Sequence, residues 1–259
     1  MGESEGAPVE SALEQLLLRV VPGLATAWRG ASASEIERLQ AIAGQPLPAL
    51  YRWFLERMGA SMGPMRYPTL DFSASGILSV YGSGRIQPHP RFLLIGYEHE
   101  EDAPLHYFYD LERPARGDAL VLRMLTPQDE RHEQLEQFET LREMLAWGEL
   151  WAHRVEHAAQ QCRGALHAPG GDLQGRLAAL LGPLGFHAPV ETGAFCGLYE
   201  RADVVLLCSG PPDGEPNTQP FSLGGADTGR LALVLSSIAG DGSIEVTPSA
   251  WLPPLPTNA

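Results

Sequence analysis

The chain has 259 residues, 44% of them hydrophobic, enough for a sizeable core in one large domain or two small ones. Its 32 acidic residues outnumber 18 basic ones, and the formal charge is −14. That balance repels nucleic-acid phosphates and anionic membrane surfaces, so neither is an expected partner.

From the N-terminus, residues 9 to 21 form an amphipathic helical pattern with Leu13, Leu16, Leu17, Val20 and Val21 on one stripe. Pro22 and Gly23 stop it. A second helix opens at Ser34-Glu35-Ile36-Glu37, where a serine followed three residues later by a glutamate reads as a capping box. In QPLPALYRWFLERMGA, Pro48 suits the first turn of a helix, and Leu47, Leu50, Tyr51, Phe54, Leu55 and Met58 recur at three and four residues. Gly59 is the expected cap. Residues 60 to 91 are irregular, with a helical piece at 75 to 81. A hairpin follows in FLLIGYEHEEDAPLHYFYDL (92 to 111), then a strand at 118 to 125.

A helix is expected from Pro127 to Ala159, with Gly148 as a kink or join. APGG at 168 to 171 reads as a linker, and Asp172 caps a helix through Leu184. Strands are expected at 193 to 200, 202 to 209, 230 to 237 and 244 to 246, with Gly240-Asp241-Gly242 turning between the last two. The tail LPPLPTNA reads as extended. The fold class is α+β: N-terminal helices, a central mostly antiparallel sheet and a closing helix over residues 1 to 160, then a smaller α+β domain over 161 to 259.

The N-terminus MGESEGAPVE is acidic, unlike a signal peptide, and no apolar run approaches the ~18 residues of a membrane span. Cys162, Cys196 and Cys208 form no CxxC pair or zinc-like spacing, so reduced core thiols in a cytoplasmic protein are expected. His153-Arg154-Val155-Glu156-His157 spells HxxEH, a zinc pattern in which two histidines one helical turn apart bind the metal and the glutamate activates water. It falls at a helix end with no acidic helix downstream for a third ligand, so a solvated helix end is the preferred reading. His132 to Glu136 resembles the forward HExxH motif but ends in Glu and loses the second imidazole. FSASG (72 to 76) lacks the first glycine of a nucleophile elbow, and no phosphate-cradling glycine motif occurs. No cofactor and no metal are expected.

At the hairpin tip, Glu98, Glu100, Glu101 and Asp102 surround His99, four carboxylates in five positions. A polar loop does little to split the pKa values of catalytic carboxylates, and the glycine and ligand order of a calcium loop are missing. A solvated turn and a docking surface for a basic partner remain.

Read in order, three segments resemble the SUKH superfamily of bacterial immunity proteins and fungal cell-wall-assembly regulators. In EIERLQAIAGQPLPALYRWFLERMGAS (35 to 61), Leu47, Pro48, Tyr51, Phe54, Leu55 and Gly59 match the family's Leu-Pro, aromatic, Phe-Leu and glycine pattern. ILSVYGSGRIQPHPRFLLIGYE (77 to 98) is similar to its short helix and strand ending in Ile-Gly. LHYFYDL (105 to 111) is like its aromatic strand closing on Asp, and FETLREMLAW (138 to 147) fits its final helix. The likeness covers about residues 31 to 158. The tip departs from it: His99, Ala103 and Pro104 stand where the family commonly has a glycine- and acid-rich turn. The resemblance implies a non-enzymatic domain that binds and neutralises a cognate protein toxin, a nuclease being one candidate. A regulatory scaffold for a cellular protein and a small zinc hydrolase built on HxxEH are the alternatives. The expected partner surface comprises Glu98, His99, Glu100, Glu101 and Asp102, with Tyr97, Trp53 and Arg85 as anchors.

Overall fold

The computed structural model describes residues 10–65, 67–100, 104–127 and 134–254. The fold is α+β, and the chain divides into two compact units, Met1–Met144 and Leu145–Ala259.

The first unit begins with four helices: α1 (Ser11–Val20), the single turn α2 (Leu24–Ala27), α3 (Ala33–Ala43) and α4 (Ala49–Met58). Leu13, Leu16, Leu17 and Val20 of α1 are buried, the stripe expected from their spacing. The capping box of α3 is formed by Ser32 and Glu35, not Ser34 and Glu37. Both pairs fit the pattern, but only Ser32 has the extended backbone of a cap; Ser34 already lies in the first turn. Pro48 is the cap of α4, one position before its first helical residue.

A five-stranded antiparallel meander follows in sequential order: β1 (Leu70–Asp71), β2 (Phe92–Glu98), β3 (His106–Ala115), β4 (Asp118–Met124) and β5 (Leu135–Phe138), with α5 (Ala74–Gly82) between β1 and β2. Leu93, Tyr109 and Val121 line up across β2, β3 and β4. Tyr109 meets Tyr51 of α4 edge-on at 5.3 Å, and Tyr51 stacks on Phe54 at 6.0 Å. Phe54 passes the contact on to Phe72, which tilts against Tyr107 of β3. Phe108 and Leu94, on the opposite pleat, are also fully buried. Both faces of the central strands are therefore closed to water, and hydropathy alternation is weak there.

Residues 134 onward correct the expected long helix. Leu135–Phe138 is the edge strand β5, and helix α6 runs only from Leu141 to Leu150 before a π-helical turn at Trp151–Val155. Leu135 and Phe138 are three apart, a spacing that four residues cannot use to separate helix from strand. Gly148 lies within α6, and the irregularity comes three residues later. The division between the units falls inside α6.

The second unit holds an antiparallel sheet in the order β10-β6-β9-β8-β7: β6 (Gln160–His167), β7 (Cys196–Glu200), β8 (Val204–Ser209), β9 (Thr218–Gly225) and β10 (Glu245–Leu252). Helices α7 (Leu173–Leu181) and α8 (Thr228–Gly240) cover one face through Leu173, Leu177, Leu231, Val234 and Ile238, which pack with Cys162, Leu206, Phe221 and Leu223. Asp172 caps α7 as expected, accepting the Gly175 N–H. Two expectations are corrected, and the strand expected at 244 to 246 is present and longer. Residues 168 to 171 are a turn inside this unit, between β6 and α7. Residues 230 to 237 are helical, so Gly240-Asp241-Gly242 ends α8 rather than turning a hairpin. The chain from 245 to 252 is the paired strand β10, its register broken between Pro248 and Ala250; most of the rest of the tail, 255–259, is outside the described residues.

Candidate functional site

The hairpin tip is built from its base upward. β2 and β3 pair with a register break between Leu94 and Gly96, and Gly96 pairs with Tyr107. A Cβ at Gly96 would lie 2.7 Å from the Phe72 ring, so the aromatic cluster comes up against the strand where only glycine fits. β1 pairs beyond it, Leu70 with Glu98 and Asp71 with Tyr97, and the His99 N–H donates to the Thr69 carbonyl.

Glu98 is the keystone of this base. It is 6% exposed, and its carboxylate accepts the Thr69 hydroxyl at 3.0 Å and the Glu100 N–H at 3.1 Å. Its own N–H donates to His106 Nδ1 at 3.0 Å. An imidazole nitrogen that accepts carries no proton, so the bond selects the neutral His106 tautomer with its proton on Nε2. Burial pushes His106 down to about 4, against the raising effect of the Glu98 charge. Tyr97 lies flat on His106 at 4.4 Å and edge-on to His99 at 5.2 Å. Arg123 stands over the Tyr107 ring at 5.2 Å.

The expected partner residues are therefore not one surface. Tyr97, Glu98, His99 and Glu100 come together, but Glu98 is turned inward and spent on holding the loop; only His99 and Glu100 of these are exposed. Glu101 and Asp102 lie outside the described residues. Trp53 is 7% exposed and donates its indole N–H to Glu14 of α1, so it is a core residue rather than an exposed anchor. Arg85 is exposed but precedes the start of β2, whereas the tip follows its end. Sequence reasoning missed Thr69 and His106. Nothing local marks Thr69, and His106 shows only as one polar residue in an aromatic strand.

The HxxEH residues do not form a zinc pair on an α-helical face. His153 is in the π-helical turn and its Nε2 lies 3.2 Å from Glu149, one turn earlier, while Glu156 and His157 follow the turn. A wider turn rotates positions four apart away from the alignment that zinc requires. Among the described residues no group of three His, Cys, Asp or Glu side chains could hold a metal ion. Of the HExxE stretch, His132 and Glu133 lie outside the described residues and Glu136 is on β5. Ser73 of FSASG caps α5 by accepting the Gly76 N–H. All three cysteines are buried, and burial pushes Cys162 and Cys208 up to about 11, away from thiolate chemistry.

No helix among the described residues is long and apolar enough to cross a membrane. No protein-family model matches the chain, and no curated protein matches it.

Proposed function

We propose that the protein is a non-enzymatic immunity protein that binds a cognate protein toxin through the acidic tip of the β2–β3 hairpin. One observation carries the reading: Glu98, Thr69 and His106 pin the base of the tip from inside. The described base of the loop, Glu98 to Glu100, is so anchored that it loses little conformational freedom on docking, which favours affinity. Nearby negative charge speeds encounter with a basic surface, such as a nuclease needs to hold phosphate.

The SUKH-like segments support the same reading. Leu47, Tyr51, Phe54 and Leu55 are buried together, Gly59 ends α4, and Gly96 lies where Phe72 crowds the strand. Asp110, which closes the aromatic strand, is buried and engages both Arg91 Nε and an Nη at 2.9 and 2.7 Å.

The test is binding of the purified chain to the product of the adjacent open reading frame, by calorimetry and stopped flow at low and high salt. Glu100→Gln, Glu101→Gln and Asp102→Asn together should slow association about tenfold at low salt and flatten its salt dependence. Unchanged association would mean that the tip does not meet the partner. No binding to that product, with binding to a housekeeping protein in the same assay, would favour the regulatory-scaffold reading.

A further inference from the structure

The first turn of α6 rests on a buried acid whose surroundings favour its uncharged form. Asp118 opens β4, is 2% exposed, and accepts the Leu141 N–H on Oδ2 at 2.6 Å. The hydroxyl of Tyr109 on β3 lies beside the carboxyl, and Tyr109 in turn meets Tyr51 of α4. Two guanidiniums complete the cluster, and each has carboxylate partners of its own. Arg142 of α6 donates from Nε to Glu10 at 2.8 Å and again from an Nη. Arg116, in the β3–β4 turn, donates to Glu143 at 2.6 Å and stands 3.7 Å from Glu139.

An ionised Asp118 therefore adds a negative charge where the cations are already matched and water is shut out. A proton on one oxygen removes that cost. The other oxygen still accepts the Leu141 N–H, so the helix start keeps its cap.

We propose that Asp118 is a proton-held latch on the first turn of α6: protonated, it stays buried beneath the helix start, and ionised, it draws that turn open toward water. Burial pushes its carboxyl up to about 7, against the lowering pull of Tyr109, the Leu141 and Ala119 N–H groups and Arg142. The positive end of α6 also favours the anion, but a helix terminus is a weaker influence than full desolvation. The sign follows. The folded state keeps a proton that the unfolded chain gives up near 3.8, so the stabilisation is complete below that pH. It fades as pH rises and is gone above about 7.

The test uses the full chain with carboxyl-labelled aspartate, following Asp118 by NMR together with amide exchange at Leu141, Arg142 and Glu143 from about pH 5.5 to 8.5. The expected result is a carboxyl titrating near 7, with exchange at those amides, corrected for its intrinsic pH dependence, rising about tenfold through the same range. In Asp118→Asn the corrected exchange should stay level. A carboxyl that titrates near its ordinary value removes the premise. Titration near 7 with level corrected exchange in the wild type shows a buried acid that moves nothing and overturns the latch. Both of these measurements are made on the wild type, so they decide the matter even if the variant fails to fold.

Discussion

Tyr51 carries its hydroxyl into the middle of the first unit, fully buried and without a hydrogen-bond partner among the described residues. A buried hydroxyl left unpaired costs free energy without compensation. Tyr51→Phe is therefore expected to keep the fold and raise stability by up to about 1 kcal/mol, read as a higher Tm in calorimetry. Gly96 is the opposite case. Gly96→Ala pushes a methyl into the Phe72 ring, which Tyr67, Phe54 and Tyr107 hold in place. A loss of roughly 1–3 kcal/mol is expected in a denaturant titration. The sequence shows a glycine at 96, between Ile95 and the charged turn, but it does not say why. The reason is Phe72, 24 positions earlier. Trp53 resists a reading from sequence for a related reason: a tryptophan between Arg52 and Phe54 looks equally suited to surface or core, and its Glu14 partner belongs to another helix.

Legibility at the scale of elements follows length and periodicity. α1, α3, α4 and the β2–β3 hairpin are readable because each buries a long, consistent stripe or is bounded by turn residues. α8 is not. Leu231, Leu233 and Leu235 alternate like a strand, yet Leu231, Val234, Leu235 and Ile238 are the buried set and Leu233 is 65% exposed. Asp227, which accepts the Arg230 N–H, is the helix signal that outweighs the alternation. Between elements, Arg91 joins the entry of β2 to Asp110 on β3, and it also covers the Phe92 ring at 4.8 Å. Arg91→Met leaves Asp110 buried without its cation, and a loss of about 2–4 kcal/mol is expected in urea unfolding. The π-helical turn at Trp151–Val155 makes a further expectation: purified protein should carry no stoichiometric zinc by elemental analysis, and His153→Ala should leave its metal content unchanged.

For the molecule as a whole, two buried titrations oppose each other. His106 is lowered to about 4, so the unfolded chain binds a proton that the folded one refuses between that value and 6.5; stability there rises with pH. Asp118, raised from 3.8 to about 7, makes stability fall with pH over an overlapping range. Their effects offset in wild type between about pH 4 and 6.5. Asp118→Asn should uncover the His106 slope, giving stability that climbs as pH rises from about 4 to 6.5, measurable by urea unfolding at several pH values. The sequence shows neither titration, because each depends on burial that only the assembled sheet and helices provide. The boundary between the two units, inside α6, is not legible in the sequence either, since a helix carries no local mark of where one core stops and another starts.

β10 closes the second sheet with a register break after Pro248. Proline offers no amide hydrogen to a neighbouring backbone, and the break spoils the straight run of acceptors that a visiting strand would need. This edge strand is thus poorly suited to pairing with the edge of an identical molecule. Restoring a regular strand with Pro248→Val should convert monodisperse material into a species whose light scattering grows with concentration.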